Sequence, residues 1–260
     1  MSIAISGVEA AKAGLAATSN NLANVDTTGY SRQSVQQSES SVVTRGDGYA
    51  MGSGVTVSGV TRASNPYLTA AVWSTNSASQ SASTYNDLAT TLNNALSGSG
   101  SLQTSLDSLF SGFTSVPSAV SDTSVRQTVL GDATATATNY NTLASQFAAQ
   151  QKSVNQQIGD TVTSINSLTS QIATLNTAIT GGNGITSSGG SNALLDQRDA
   201  LLTQLAGYVG LTAPTQRDGS ITVYTQSGQA LVAGSPANPL APASHAHPAP
   251  PPDATPSTGT

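Results

Sequence analysis

The chain has 260 residues, a formal net charge of −5, no cysteine, and only 8% charged residues against 37% hydrophobic ones. A typical soluble domain is about one-quarter charged, so small polar residues fill the difference and any seam between elements is built from small side chains. The absence of cysteine excludes disulfide scaffolds, thiolate metal sites and cysteine nucleophiles. The eight basic residues are scattered, so no positive stripe exists for a nucleic-acid backbone.

The N-terminus lacks a basic leader followed by a compact apolar stretch and does not read as a cleavable secretory signal. Residues 3–25 read instead as a helix. Ala4, Val8, Ala11, Leu15, Thr18, Leu22 and Val25 recur at spacings of four and three, a heptad seam that packs along another helix. A lone amphipathic helix of this length is marginal in water, so the segment is expected to fray in the monomer and to order on assembly. Asp26 to Gly29 is turn-rich. Val35–Thr44 and Val55–Arg62 alternate apolar and polar residues around Arg45–Gly48, which predicts an extended β-hairpin arm over 31–63.

A second helix starts at Asn65-Pro66, asparagine as N-cap and proline at the first helical position. Leu68, Ala71, Thr75, Ala78, Ala82, Tyr85, Ala89, Leu92 and Leu96 give it a heptad seam. A shorter helix follows, with Leu102, Leu106, Leu109, Phe110 and Phe113 on one face and Pro117 ending it. Asp122 opens the longest helical stretch, which runs to Gly181-Gly182 and would measure roughly 85 Å if Gly159 does not kink it. A helix capped by Ser191 carries Leu194, Leu195, Arg198, Leu201, Leu202 and Leu205 to Gly207. Short strands are predicted at Leu211–Ala213, Ile221–Thr225 and Ala230–Val232, with turns at Asp218-Gly219 and Ser227-Gly228. From Ser235 the Pro- and Ala-rich composition predicts disorder. The expected architecture is mainly α: a helical rod over 64–210 with a β-hairpin arm, the start of a β domain at 211–234, and a disordered tail over 235–260.

Candidate chemistry is sparse. Gly181–Gly184 follows a helix and precedes no lysine, so a plain interhelix loop fits better than a phosphate cradle. Asp196, Arg198 and Asp199 lie within one helical turn and read as surface or interdomain pairing rather than as an acid–base or metal site. His245 and His247 are the only histidines, lie in the predicted tail, and are too few for a structural metal site. No Gly-x-Ser-x-Gly elbow occurs. The expectation is a protein with no catalytic residues, cofactor or metal, and with no segment long and apolar enough for a membrane span.

Two stretches carry a resemblance. Ser19-Asn-Asn-Leu-Ala-Asn-Val-Asp-Thr-Thr-Gly-Tyr-Ser-Arg32 resembles the N-terminal signature of bacterial flagellar rod, hook and hook-associated proteins. Asn192-Ala-Leu-Leu-Asp-Gln-Arg-Asp-Ala-Leu-Leu202 resembles the motif of the hook-associated family that forms the first hook–filament junction layer, and the order of elements is similar as far as about residue 234. The resemblance implies a structural subunit exported through the flagellar type III channel without a cleaved signal. It implies self-association in a tubular layer, with hook subunits, the second junction protein, the export apparatus and an export chaperone as further partners. By it, Val8, Ala11, Leu15 and Leu22 form the tube-core seam, and Asn21, Asn24, Gly29 and Tyr30 the helix-to-arm hinge. Leu194, Leu195, Asp196 and Arg198 join the last helix to the rod. The family carries a further domain and a C-terminal helix that this sequence lacks, so the chain is expected to be the N-terminal portion of such a protein. Another axial part (a rod or hook subunit) and a non-functional fragment are the alternatives.

Overall fold

The computed structural model describes residues 2–40, 43–44, 50–97, 101–119, 121–181 and 190–242. The expected turn at Arg45–Gly48, the glycine-rich loop beyond Gly181 and both histidines lie outside these residues.

Helix α1 (Ser2–Ala23) lies along a hairpin made by β1 (Gln33–Glu39) and β4 (Val55–Arg62), which pair antiparallel from Gln33 opposite Arg62 to Glu39 opposite Val55. A short antiparallel pair, β2 (Val43–Thr44) with β3 (Ala50–Met51), extends the arm. The helix spans 22 residues and rests on both strands of the hairpin. Its inner face is a second stripe, Ser6, Ala10, Ala13, Ala17 and Asn21, also at spacings of three and four. These small residues let the helix approach the strands closely. Gly54 completes the fit: it adopts φ +102°, and a Cβ there would collide with the Ser6 hydroxyl, which accepts a hydrogen bond from Val55 N. Val8, Leu15 and Leu22 therefore face away from the arm.

Helix α2 (Pro66–Ser97) starts as read from its cap: Asn65 Oδ1 accepts from the amides of Tyr67 and Leu68. Asn65→Ala is expected to cost about 1 kcal/mol, seen as a small shift in the denaturation midpoint of the helical signal with unchanged slope. The expected heptad seam of α2 is not what packs. Leu68, Tyr85, Leu92 and Leu96 are exposed, and Trp73 is the one buried apolar side chain of the helix. An indole carries far more apolar area than a stripe of Ala and Thr, so the helix rotates to bury it.

Helix α3 (Leu102–Ser115) ends in a 3-10 turn (Val116–Ala119) and packs on the first part of α4 (Thr123–Gly181). The contact combines Ser105 and the buried Val129 with the half-buried Leu102, Leu106 and Leu109 of the expected face. Ser105 is buried, its carbonyl accepts from Thr136 Oγ1, and its hydroxyl meets Asn139 Nδ2. At Gly112 a Cβ would lie 3.0 Å from Val129 Cγ2, so a side chain there would require Val129 to give by a few tenths of an ångström. Phe110 and Phe113, expected on the packed face, are exposed, as is Tyr140 on α4. Asp122 caps α4 by accepting from Ser124 N at 2.8 Å, and these hydrogen bonds hold its carboxyl below the usual range. The helix runs unbroken through Gly159 for 59 residues, roughly 90 Å at about 1.5 Å per residue.

Helix α5 (Gly190–Ala206) and a three-stranded antiparallel sheet in the order β5 (Leu211–Thr212), β6 (Thr222–Thr225), β7 (Ala230–Ala233) close on the last third of α4. Gly219 and Gly228, at φ +84° and +87°, form the turns expected from their sequence. Ile165, Leu168, Ile172, Leu202, Leu205, Val223, Leu231 and Val232 share one core with Trp73. The sheet, expected to begin a separate β domain, is therefore part of the same packed unit as the helices. Within the tail expected to be disordered from Ser235, the described residues as far as 242 are anchored on the core. Asn238 N donates to Leu231 O, and the Leu240 backbone exchanges two hydrogen bonds with the Asn166 side chain. Averaged composition hides such single anchors.

Candidate functional site

The turn after α1 is organised by asparagines. Asn21 Oδ1 accepts from Gln33 N and from the Tyr30 hydroxyl, both at 2.8 Å, while its Nδ2 donates to Gln33 O at 2.8 Å. Asn20 Nδ2 donates to the Tyr30 hydroxyl, and Asn24 Nδ2 donates back to Asn20. One carboxamide thus satisfies the first backbone groups of β1, as a strand neighbour would. Gly29 sits at φ +85°, where its Cα lies against α5: a Cβ there would be 3.6 Å from Ala200 Cβ. Of the four expected hinge residues, Asn21, Tyr30 and Asn24 belong to one hydrogen-bonded group, and Gly29 supplies the turn.

Helix α5 meets this hinge with one face. Asn192 Nδ2 donates to Val60 O. Asp196 Oδ2 accepts from Ser31 N at 3.1 Å, and its Oδ1 lies 2.9 Å from Arg62 Nη1. The same nitrogen is 2.7 Å from Asp199 Oδ2. Arg62 and Asp196 are mostly shielded from solvent, at 13% and 9% side-chain exposure, which distinguishes them from a solvated surface pair. Asp196, expected to join α5 to the rod, instead faces the arm. Arg62 is the contact residue that sequence reading missed: its only signal was a position at the end of a strand, with no motif around it.

The opposite face of α5 does hold the rod. At about 100° per residue, Arg198 points about 200° away from Asp196. Its Nη1 donates to Gly219 O at 2.8 Å and to Asn176 Oδ1 at 3.2 Å. Asn176, fully buried on α4, also accepts from Ile221 N and donates to the carbonyls of Ile221 and Gly234. Burial pulls the Arg198 guanidinium below its ordinary value, and the neighbouring Asp199 partly opposes this. Leu194 and Leu195 are half-buried on the same helix. Trp73 Nε1 donates to Thr203 Oγ1, and Asn76 Nδ2 to Thr203 O, so α5 also carries α2.

The expected seam residues Val8, Ala11, Leu15 and Leu22 lie together on the outer face of α1, with Leu15 69% and Leu22 74% exposed. Among the described residues no group of three or more His, Asp or Glu side chains could hold a metal, and no helix is long and apolar enough to cross a membrane. The arrangement offers an outward apolar stripe on α1 and a hinge whose polar groups are paired within the chain.

Residues 89–254 match the family model of the flagellar hook-associated protein FlgK helical domain, and residues 1–30 match that of the flagella basal body rod protein. Over 239 residues the chain is 34% identical to flagellar hook-associated protein 1 of Salmonella typhimurium, covering 92% of this chain and 43% of that protein. To flagellar hook-associated protein 1 of Escherichia coli K12 it is 33% identical, covering 92% and 44%. The solved structure of the flagellar hook junction protein FlgK from Burkholderia pseudomallei superposes with a TM-score of 0.57 at 34% identity, over 66% of this chain and 30% of that one. The chain thus spans less than half the length of the curated relatives it matches.

Proposed function

The chain belongs to the flagellar hook-associated protein FlgK family, and from that premise we propose that it is a structural, non-catalytic subunit of the layer joining hook to filament. The observation that supports this reading is the outward stripe of α1. Val8, Leu15 and Leu22 are large apolar side chains at heptad spacing, more than half exposed on a helix whose opposite face rests on the arm. Burying each would contribute about 1.5–3 kcal/mol once a partner helix covers it. In this reading the stripe faces the interior of a tubular layer of like subunits. Hook subunits lie on one side and the second junction protein on the other. Delivery is through the flagellar export channel, assisted by an export chaperone. The match of residues 89–254 to the helical-domain model favours a hook-associated protein over a rod or hook subunit, although residues 1–30 are shared with rod proteins.

The test is an immunoblot of sheared flagella, culture medium and cytoplasm with an antibody against residues 150–180. A band in sheared flagella is the expected result. A band at 25.9 kDa means the 260-residue chain itself assembles, and a larger one means assembly as part of a longer protein. A band confined to the cytoplasm would overturn the proposal.

A further inference from the structure

We propose that Arg62, Asp196 and Asp199 form an ionic clasp that fixes the angle between the α1–arm unit and the helical rod, and that its opening frees the unit to swing about Ala63–Asn65. This goes beyond the junction reading and does not depend on where the assembled protein sits.

The argument starts from connectivity. Residues 1–62, α1 and the arm, join the rest of the chain covalently only through 63–65, which belong to no helix or strand. Within that unit, α1 packs on β1 and β4, and its own apolar stripe faces outward. What holds the unit to the rod is a row on α5: Asn192, Asp196, Asp199 and Ala200. Their spacings of four, three and one place them on one helical face. All four meet the base of the hairpin or the turn before it. Gln33 and Arg62 are register partners, and Ala63 N donates to Arg32 O, so Ser31 and Arg62 are the two points where the strands leave the arm. Asp196 takes hold of both, accepting from Ser31 N and from Arg62. Asp199 reaches the same Arg62 nitrogen from one turn further along.

This join is polar and local, whereas each side is internally cohesive. The rod has its apolar core and the Asn176–Arg198 knot, and the arm has its strand ladder. A polar join between two cohesive bodies is the element that opens first. It also constrains the angle, because Asp196 holds the Ser31 backbone amide as well as Arg62 Nη1, and Asp199 meets the same nitrogen from one turn further along. Both bonds come from a single nitrogen, so a lysine ammonium could replace it as a point charge.

The experiment uses the whole chain, which has no cysteine to interfere with labelling. Spin labels are placed at Ser38→Cys on the arm and Ser170→Cys on α4, both exposed, and the distance between them is measured by pulsed electron resonance. A single narrow peak is expected for the parent. Arg62→Met, which keeps the aliphatic stem, is expected to lose that peak to a broad distribution with unchanged helical circular dichroism. Asp196→Asn combined with Asp199→Asn should do the same, and Arg62→Lys should retain the peak. A broad distribution in the parent, a narrow peak surviving in Arg62→Met, equal loss in Arg62→Lys, or loss of helical signal together with the peak would each overturn the clasp.

Discussion

Asn176→Ala is expected to destabilise the rod by about 3–5 kcal/mol, because it strands a buried charge as well as backbone groups. The carboxamide is fully buried and makes four hydrogen bonds: one from Arg198, one from Ile221 N, and two to the carbonyls of Ile221 and Gly234. Without it, Arg198 keeps Gly219 O as its one hydrogen-bond acceptor, and its buried Nε already lacks a partner. Three backbone groups at the ends of β6 and β7 are orphaned at the same time. The measurement is urea denaturation followed by circular dichroism, with a large fall in midpoint at constant slope. Leu202→Ala, a cavity mutation in the same core, would fall within the usual 2–5 kcal/mol and serves as the comparison. An Asn176→Ala loss below about 1 kcal/mol would mean that water replaces the carboxamide without penalty.

Leu15→Asp is expected to abolish incorporation into flagella while leaving the isolated chain as stable as its parent. Leu15 is 69% exposed on α1, so an aspartate there meets water and costs the monomer little. In an assembled layer the same position would bury a carboxylate in an apolar seam, a cost of several kcal/mol per subunit that repeats around the tube. The check is a swarming assay together with the denaturation midpoint of the purified variant. Normal assembly would remove α1 from the proposed core. A large stability loss in the monomer would show that Leu15 packs within its own chain.

Much of the fold could be read from punctuation. Asn65-Pro66, Asp122, Gly219 and Gly228 place the starts of α2 and α4 and both sheet turns where the structure has them. Each of these residues acts through its own backbone neighbourhood, so its meaning is local. Which face of a helix is covered was much less legible. In α1 two stripes share the same period: the larger one reads as a seam for a partner helix, and nothing in the smaller one signals the arm that covers it. The arm took the smaller one because Ser6, Ala10 and Ala13 let the strands come close. In α2 a heptad of alanines, threonines and leucines looked more regular than a lone tryptophan, yet Trp73 carries the burial. The candidate site divides in the same way. Asn21, Asn24, Gly29 and Tyr30 lie within ten residues of one another and could be grouped by eye. The partnership of Arg62 with Asp196 spans 134 positions and leaves no periodic trace. Asp196 and Arg198, two residues apart, were assigned to one surface, although a helix necessarily turns them to opposite sides.

Among the described residues, helix α4 is anchored towards its ends. Its first turns are held by α3 as far as Asn139, and its last third from about Ile165 by the common core, whereas most of residues 140–160 are exposed, Tyr140, Phe147 and Ile158 among them. A peptide helix in water unravels from its termini, where hydrogen bonds are fewest. Here that order is inverted: the termini are clamped, and the weakest turns lie at mid-span. Such an element behaves as a strut with a compliant centre. Under bending or torsion it would yield there, reversibly, while the packed regions at either end keep their shape.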